Sequence, residues 1–220
     1  MNILISRLSR IFLFPMALLV FSLPISAQST DPTRWEETMQ RFERQDRLDP
    51  QVEGAIVLTG SSSIARWNDQ AVAALAPLTV IPRGFGGSVM GDVLYHLERV
   101  ALRYKPRAIL IYEGDNDTAY GIPESKILGQ LKEIIAKTHD QLPAARIYVM
   151  SVKPSVLRQN VWSNAQKVNW GYEAIAKNDP LVYYIDAASP FLKANGSVMT
   201  DIFVDDNLHL NDMGNLIWGS

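Results

Sequence analysis

The sequence contains no cysteine, few histidines and no clustered run of charge of either sign. Without cysteine, a disulfide framework, thiol catalysis and cysteine-ligated metal are excluded. The formal net charge is −2 and no basic tract is present, so the clustered lysine and arginine that bind nucleic acid are missing. The 220-residue length and 47% hydrophobic content instead indicate a globular protein that can bury a full core.

Long apolar runs are also scarce, and the one that stands out is N-terminal. Arginines precede an apolar run over residues 11–24, which is followed by small residues up to Ala27. This order is typical of a secretory signal peptide, and the run is shorter than the ~20 residues that span a membrane. We therefore expect a signal peptide over residues 1–27, cleaved near Ala27, and an exported domain over residues 28–220. An uncleaved membrane anchor is the alternative.

After this segment, short apolar runs alternate with longer amphipathic ones. The apolar runs, rich in Ile, Val, Leu and Tyr, predict β-strands over residues 55–59, 78–81, 108–112, 146–152 and 181–185. Strands that are apolar throughout and separated by helices predict an α/β domain, with a parallel sheet covered on both faces. In such sheets the ligand site lies at the carboxyl ends of the strands.

Helical periodicity marks the segments before, between and after the predicted strands. Trp35, Met39 and Phe42 recur at near-helical spacing in the polar stretch 28–51. Ser88 is a candidate N-cap for the next helix. The remaining predicted helices cover residues 89–104, 123–142 and 160–177, with a short one from about residue 211.

Polar, glycine-containing segments follow the first three strands and recur near the C-terminus. They are Gly60-Ser61-Ser62-Ser63, Arg83-Gly84-Phe85-Gly86-Gly87-Ser88, Glu113-Gly114-Asp115-Asn116-Asp117 and Asp205-Asp206-Asn207-Leu208-His209-Leu210. Because the ends of parallel strands meet at one edge of a sheet, we expect these segments to converge there.

The converging residue types fit acyl transfer by an activated serine. A serine hydroxyl is a weak nucleophile unless a base removes its proton, and the chain has three histidines. His96 and His139 lie in predicted helices, whereas His209 lies in a loop with Asp206 three residues earlier. That spacing, in a helical turn, places the carboxylate beside the imidazole and makes these two residues the candidate acid and base. The adjacent serines at positions 61–63 leave the nucleophile open.

Acyl transfer also needs hydrogen-bond donors for the developing oxyanion. The Asn116 side-chain amide, the Gly87 backbone N–H and the Ser62 N–H are the candidates. Taken singly, each motif has a simpler reading: Gly-Ser-Ser-Ser as a turn or helix cap, and Gly-x-Asn-Asp as a β-turn. A phosphate loop is the alternative interpretation of the Gly84–Gly87 segment, but the Gly-x-Gly-x-x-Gly spacing is absent and no Lys-Ser/Thr follows.

In order and content, these blocks resemble the SGNH hydrolases, also called GDSL esterases and lipases. The matching blocks are Gly60-Ser61-Ser62, Gly87, Gly114-Asp115-Asn116-Asp117 and Asp206-Asn207-Leu208-His209. The resemblance runs from about Ala55 to the end of the chain. It implies a three-layer α/β/α sandwich with a flavodoxin-like, five-stranded parallel sheet of order 2-1-3-4-5, and no metal or organic cofactor.

The resemblance also assigns roles by position. It implies Ser62 as the nucleophile, Asp206 and His209 as the rest of the triad, and Ser62, Gly87 and Asn116 as the oxyanion hole. Two departures are visible: Ser61 stands where the family usually has aspartate, and the last predicted helix is shorter than is usual in the family.

The expected function is hydrolysis of a small-molecule or carbohydrate ester through an acyl-enzyme. By analogy the acyl group is short, such as an O-acetyl group on carbohydrate or lipid. Asp115 and Asp117 bring negative charge to the site, and Arg83, Lys153 and Arg158 are candidate compensating cations. The alternatives are a non-catalytic glycan-binding module on the same fold and a nucleotide-binding or phosphatase domain that depends on metal or phosphate.

Overall fold

A computed structural model describes residues 31–219 of the chain. The predicted signal peptide lies outside this range. Within the range, every helix is too short or too polar to cross a bilayer.

Five parallel strands form a sheet in the order β2-β1-β3-β4-β5. Their bounds are β1 (Ile56–Gly60), β2 (Val80–Gly84), β3 (Ala108–Tyr112), β4 (Arg146–Met150) and β5 (Val182–Ile185). The predicted parallel sheet and its order 2-1-3-4-5 are confirmed, with some strand ends shifted. The fourth strand ends before Val152, because the backbone N–H and carbonyl of Val152 pair with the Asn169 side chain at 2.7 and 3.0 Å.

Helices cover both faces of this sheet. They are α1 (Glu36–Leu48), α2 (Ser62–Ala74), α3 (Met90–Tyr95), α4 (Leu97–Val100), α5 (Asp115–Ala119), α6 (Glu124–Gln141), α7 (Trp162–Lys177) and α8 (Asp212–Trp218). Alternate strand residues face opposite layers: Ile109 and Ile111 of β3 pack under α1, α3, α4, α6 and α7, whereas Tyr112 packs with α2 and α8. The three-layer α/β/α architecture follows from this alternation.

The segment 89–104 is not the single helix that its periodicity predicts. It breaks at His96, whose Nε2 lies 2.8 Å from the Pro32 carbonyl oxygen. The prediction of Ser88 as N-cap was also wrong, because α3 begins at Met90 with Val89 in the capping position. The Ser88 hydroxyl donates instead to Glu113, at 2.5 Å.

Helix α2 was not predicted, yet it presents the predicted nucleophile. Gly60 ends β1 with φ +128°, and a Cβ there would lie 2.1 Å from the Tyr112 carbonyl oxygen, so glycine is required. The chain then turns directly into α2 with Ser62 as its first residue. Ile64 and Ala71 on the inner face of α2 pack against the sheet.

Candidate active site

The structure brings Ser62, His209 and Asp206 together, although position 62 is 147 residues from position 209. The Ser62 Oγ lies 2.8 Å from His209 Nε2, and His209 Nδ1 lies 2.6 Å from Asp206 Oδ2. With the ring proton on Nδ1 donating to the carboxylate, Nε2 is free to accept the serine proton. Acyl transfer by serine requires this arrangement, in which a hydroxyl contacts an imidazole and the imidazole contacts a carboxylate.

A tight turn holds Asp206 in place for this contact. Its Oδ1 accepts the backbone N–H groups of Leu208 and His209 at 2.9 and 2.8 Å. The segment is a turn with Asn207 at φ +58°, rather than the helical turn assumed from the spacing. Burial acts to raise the pKa of Asp206, but the hydrogen bonds from His209 and Leu208 outweigh it and hold the pKa well below its usual range. Asp206 is therefore ionised and available to stabilise an imidazolium.

Lys153, which follows β4, holds the turn through a hydrogen bond to its backbone. Its buried Nζ donates to the Leu208 carbonyl at 2.8 Å, between the two predicted triad residues. Burial lowers the pKa of Lys153, and the nearby charges of Asp115 and Asp206 oppose that shift. Sequence analysis placed Lys153 near the pocket as a cation, and the structure shows it behind the His209 turn.

Three candidate N–H groups belong to residues that line one cavity: Ser62, Gly87 and Asn116. Ser62 is the first residue of α2, so its N–H has no acceptor within the helix. Within residues 31–219, Gly87 N–H has no hydrogen-bond partner, and Gly87 has φ +86°. Asn116 Nδ2 donates one hydrogen to the Ser88 carbonyl at 2.9 Å, which leaves its second hydrogen for the cavity. These are the predicted oxyanion donors.

The loop that carries Gly87 is held by buried carboxyl groups. Each of the three residues after Gly87 donates a hydrogen bond to a buried carboxyl group. Ser88 Oγ donates to Glu113 at 2.5 Å, Val89 N–H donates to Asp92 at 3.0 Å, and Met90 N–H donates to Asp117 at 3.0 Å. Asp117 also accepts Gly114 N–H at 3.0 Å, which joins this loop to the one carrying Asn116. Sequence analysis missed Glu113 as a support, although it directly precedes the Gly114 block.

Burial disfavours the ionised form of two of these carboxyl groups, Glu113 and Asp117. Burial, reinforced by the charge of nearby Asp117, raises the pKa of Glu113 well above its ordinary value, against the Ser88 hydrogen bond. Burial raises the pKa of Asp117 to about 7, against three backbone hydrogen bonds. The folded protein therefore holds protons that the unfolded chain releases, and stability falls as the pH rises above the ordinary carboxyl range.

We expect Glu113→Gln to flatten this pH dependence. Below the ordinary Glu pKa of 4.5 the carboxyl is protonated in both states, and above it only the folded state keeps the proton. Each such proton lowers the free energy of unfolding by up to ~1.4 kcal/mol per pH unit. The glutamine keeps an oxygen for the Ser88 hydroxyl and does not titrate. Denaturant unfolding of both proteins across roughly pH 5 to 8 measures the difference.

The matched control for this comparison is Glu133→Gln, an exposed residue on α6. The Glu133→Gln variant should keep the wild-type dependence of the free energy of unfolding on pH. Part of that dependence comes from Asp117, whose pKa is also raised. Parallel curves for wild type and Glu113→Gln would contradict the assignment of a retained proton to Glu113.

Of the predicted site residues, Ser62, Gly87, Asn116 and His209 line an open cavity of about 440 Å³, and Asp206 is not part of its lining. Its lining is Ser62, Ala65, Arg66, Gly86, Gly87, Asn116, Leu208 and His209. Arg66 Nη2 lies 4.0 Å from Asp206 Oδ2, and Arg158 Nε lies 3.7 Å from Asp115 Oδ1. Both guanidinium groups therefore offset acidic charge near the cavity.

Arg83 is not one of these cations. Its guanidinium pairs with Asp46 and donates to Tyr104 Oη at 2.8 Å, where α1 meets the sheet. The described residues contain no group of three His, Asp or Glu side chains arranged to hold a metal ion.

Comparison with known proteins places the chain in a family. The sequence profile of the GDSL-like Lipase/Acylhydrolase family matches residues 49–217. Over 142 residues the chain is 27% identical to platelet-activating factor acetylhydrolase IB subunit alpha1 of Pongo abelii, covering 63% of this chain and 60% of that protein. The human protein of that name is 26% identical with the same coverage. The chain thus spans about 60% of the length of these curated relatives.

Solved structures share the fold at lower identity. A GDSL-like lipase from Bacteroides thetaiotaomicron VPI-5482 superposes with a TM-score of 0.70 at 18% identity, covering 82% of this chain and 93% of that one. An acetylxylan esterase from Geobacillus stearothermophilus superposes with a TM-score of 0.62 at 13% identity, covering 77% and 92%. Its structures include catalytic mutants in which a serine or a histidine is replaced by alanine. Because the family profile covers most of the chain, the protein belongs to the GDSL-like lipase/acylhydrolase family.

Proposed function

We propose that this protein is a serine esterase that cleaves carboxylic esters through an acyl-enzyme, with Ser62 as nucleophile. The observation that carries the proposal is the chain of contacts from Ser62 Oγ to His209 Nε2 at 2.8 Å and from His209 Nδ1 to Asp206 at 2.6 Å. It lies at an open cavity, beside three N–H groups that can receive an oxyanion.

The proposed reaction has two steps, acylation of Ser62 and hydrolysis of the acyl-enzyme, and both use the same groups. His209 takes the Ser62 proton as Oγ attacks the acyl carbon, and Asp206 stabilises the imidazolium that forms. The carbonyl oxygen becomes an oxyanion held by the N–H groups of Ser62, Gly87 and Asn116. His209 then protonates the leaving alcohol, and the acyl group stays on Ser62. Water repeats the sequence to release the acid and restore the serine.

The substrate we propose is a short-chain ester, with an O-acetyl group on carbohydrate or lipid as the leading class. Support comes from the names of two similar proteins, an acetylhydrolase and an acetylxylan esterase, both of which refer to acetyl groups.

A panel of p-nitrophenyl esters tests the proposal and its alternatives together. Acetyl, butyryl and octanoyl esters, acetylated xylo-oligosaccharide and p-nitrophenyl phosphate are assayed with and without a metal chelator. We expect ester hydrolysis that survives the chelator and no phosphate release. A glycan-binding module would bind the oligosaccharide without releasing acetate. A phosphatase would release phosphate and lose that activity with the chelator.

Asn116→Ala should lower kcat by about 100- to 1000-fold with a small change in KM. The amide contributes most when the carbonyl oxygen carries charge, so its loss acts on the transition state. Asn164→Ala, which changes an exposed residue in the first turn of α7, is the matched control and should leave kcat unchanged. A kcat for Asn116→Ala within threefold of wild type, roughly the scatter of such measurements, would remove Asn116 from the oxyanion hole.

We also propose that the protein acts after export. The support is the N-terminal order of arginines, an apolar run and small residues ending at Ala27. Mass spectrometry of the protein from a periplasmic or secreted fraction should find a new N-terminus close to position 28, and an intact Met1 there would contradict cleavage.

A further inference from the structure

Hydrogen bonds hold the loop that follows β4 against the C-terminal turn of the candidate active site. This loop covers residues 151–158 and belongs to none of the sequence blocks that resemble the family motifs. Lys153 Nζ donates to the Leu208 carbonyl oxygen at 2.8 Å, and Leu157 N–H donates to the Asn207 carbonyl oxygen at 3.0 Å. The position of the loop is therefore fixed relative to the turn that carries the candidate base.

Arg158, the last residue of this loop, contacts the amide oxygen of Asn116 on α5. Its Nη2 lies 3.5 Å from Asn116 Oδ1, and its Nε lies 3.7 Å from Asp115 Oδ1. The Nε atom is buried and has no hydrogen-bond partner among residues 31–219. Both distances are longer than an ordinary hydrogen bond, so the guanidinium acts on Asn116 chiefly through its permanent positive charge.

Two contacts fix which way the Asn116 amide faces. Its Nδ2 donates to the Ser88 carbonyl oxygen at 2.9 Å, and its Oδ1 faces the Arg158 guanidinium. Rotating the amide by a half-turn would put Oδ1 against a carbonyl oxygen and the NH₂ group against a cation. Because both exchanges bring like partial charges together, the contacts favour the orientation that leaves the second N–H for the cavity.

The positive charge also strengthens Asn116 as a hydrogen-bond donor. A cation at the amide oxygen draws electron density from the nitrogen, and neighbouring hydrogen-bonded groups in a protein interior polarise one another in this way. Asn116 is 6% exposed, so water screens the contact little. Asn116 lines the cavity of about 440 Å³, whereas Arg158 is not part of its lining. Arg158 is therefore placed to act through Asn116 rather than to bind the substrate itself.

We propose that Arg158 is a positioning residue for the oxyanion hole, whose guanidinium orients and polarises the Asn116 side-chain amide. This inference rests on the proposed esterase function. It gives a specific role to a residue that sequence analysis described only as a cation that compensates acidic charge.

Arg158→Ala should lower kcat for p-nitrophenyl acetate by about tenfold with little change in KM, because the weakened amide acts on the transition state. The loss is smaller than for Asn116→Ala, since the Ser88 carbonyl still holds the amide. Arg158→Lys keeps a cation near Asp115 but loses the planar fork, so its kcat should lie between wild type and Arg158→Ala. The lysine variant is also the readout if the alanine variant fails to fold. Arg146→Ala, which changes an exposed arginine at the start of β4, is the matched control and should keep wild-type kcat.

A double-mutant cycle separates this role from a general effect of charge. In the Asn116→Ala background, adding Arg158→Ala should change kcat by less than about twofold, because the amide through which Arg158 acts is absent. An undiminished loss in that background would show that Arg158 acts without Asn116, for example by offsetting the charge of Asp115. That result would overturn the inference.

Two further results would count against the role of Arg158. Wild-type kcat in both Arg158→Ala and Arg158→Lys, or a change confined to KM, would overturn the inference while the proposed esterase function stands. If the wild-type protein cleaves none of the esters, the proposed function itself fails and this inference fails with it.

Discussion

Replacing Ser62 by alanine should lower kcat for p-nitrophenyl acetate by roughly five to six orders of magnitude. Ser62 Oγ lies 2.8 Å from His209 Nε2, so its removal leaves the base without a nucleophile to activate. The backbone N–H of position 62 remains in the variant, and binding and oxyanion stabilisation supply only a small residual rate over water. Direct spectrophotometric detection of the released p-nitrophenolate at high enzyme concentration measures this residual rate.

The neighbouring serines provide matched controls. Within residues 31–219, neither Ser61 nor Ser63 shows a hydrogen bond to His209. Ser61→Ala and Ser63→Ala should therefore keep kcat within roughly an order of magnitude of wild type, as expected when no reacting group is removed. If Ser62→Ala stays active while one of the others does not, the nucleophile is misassigned.

Asp206→Asn should lower kcat on the order of 10⁴-fold, the second largest effect. The amide oxygen will occupy the Oδ1 position, because Leu208 and His209 N–H groups point at it from 2.9 and 2.8 Å. The amide NH₂ then faces His209 Nδ1 and favours the tautomer with its proton on Nε2. That tautomer cannot accept the Ser62 proton, so the base is lost while the fold is kept.

Asp205→Asn is the control for charge alone, since it removes an adjacent exposed carboxylate that makes no side-chain contact with His209 among the described residues. It should retain wild-type kcat, and both variants should retain wild-type thermal stability within a few degrees. A tenfold or smaller loss in Asp206→Asn would contradict the assignment of Asp206 as the acid that orients His209.

The sheet could be predicted because its sequence pattern and its packing agree. Continuous apolar strands such as residues 108–112 are buried on both faces, which only a covered parallel sheet provides. The spacing of Met39 and Phe42 likewise predicted α1, whose inner face they form. Ser62 follows β1 and was therefore expected at the carboxyl edge of the sheet, whereas His209 lies well beyond β5 and its contact with Ser62 depends on the fold of the C-terminal segment.

What could not be predicted depends on contacts between distant segments. The break at His96 follows from its hydrogen bond to Pro32, 64 residues away. The local sequence predicts Ser88 as a helix cap, but its hydroxyl donates a hydrogen bond to the buried Glu113 carboxyl group instead. Helix α2 was missed because it begins with two serines and has a third, Ser61, in the capping position, and serine favours caps and turns over helix interiors.

Labelling with a fluorophosphonate measures the activated serine directly. Intact-mass spectrometry should show one covalent adduct on the wild-type protein, and peptide mapping should place it on Ser62. The adduct should be absent from Ser62→Ala and strongly slowed in His209→Ala, because the hydroxyl reacts only when the imidazole takes its proton. An unlabelled wild-type protein, or an adduct on Ser61 or Ser63, would contradict the claim that His209 activates Ser62.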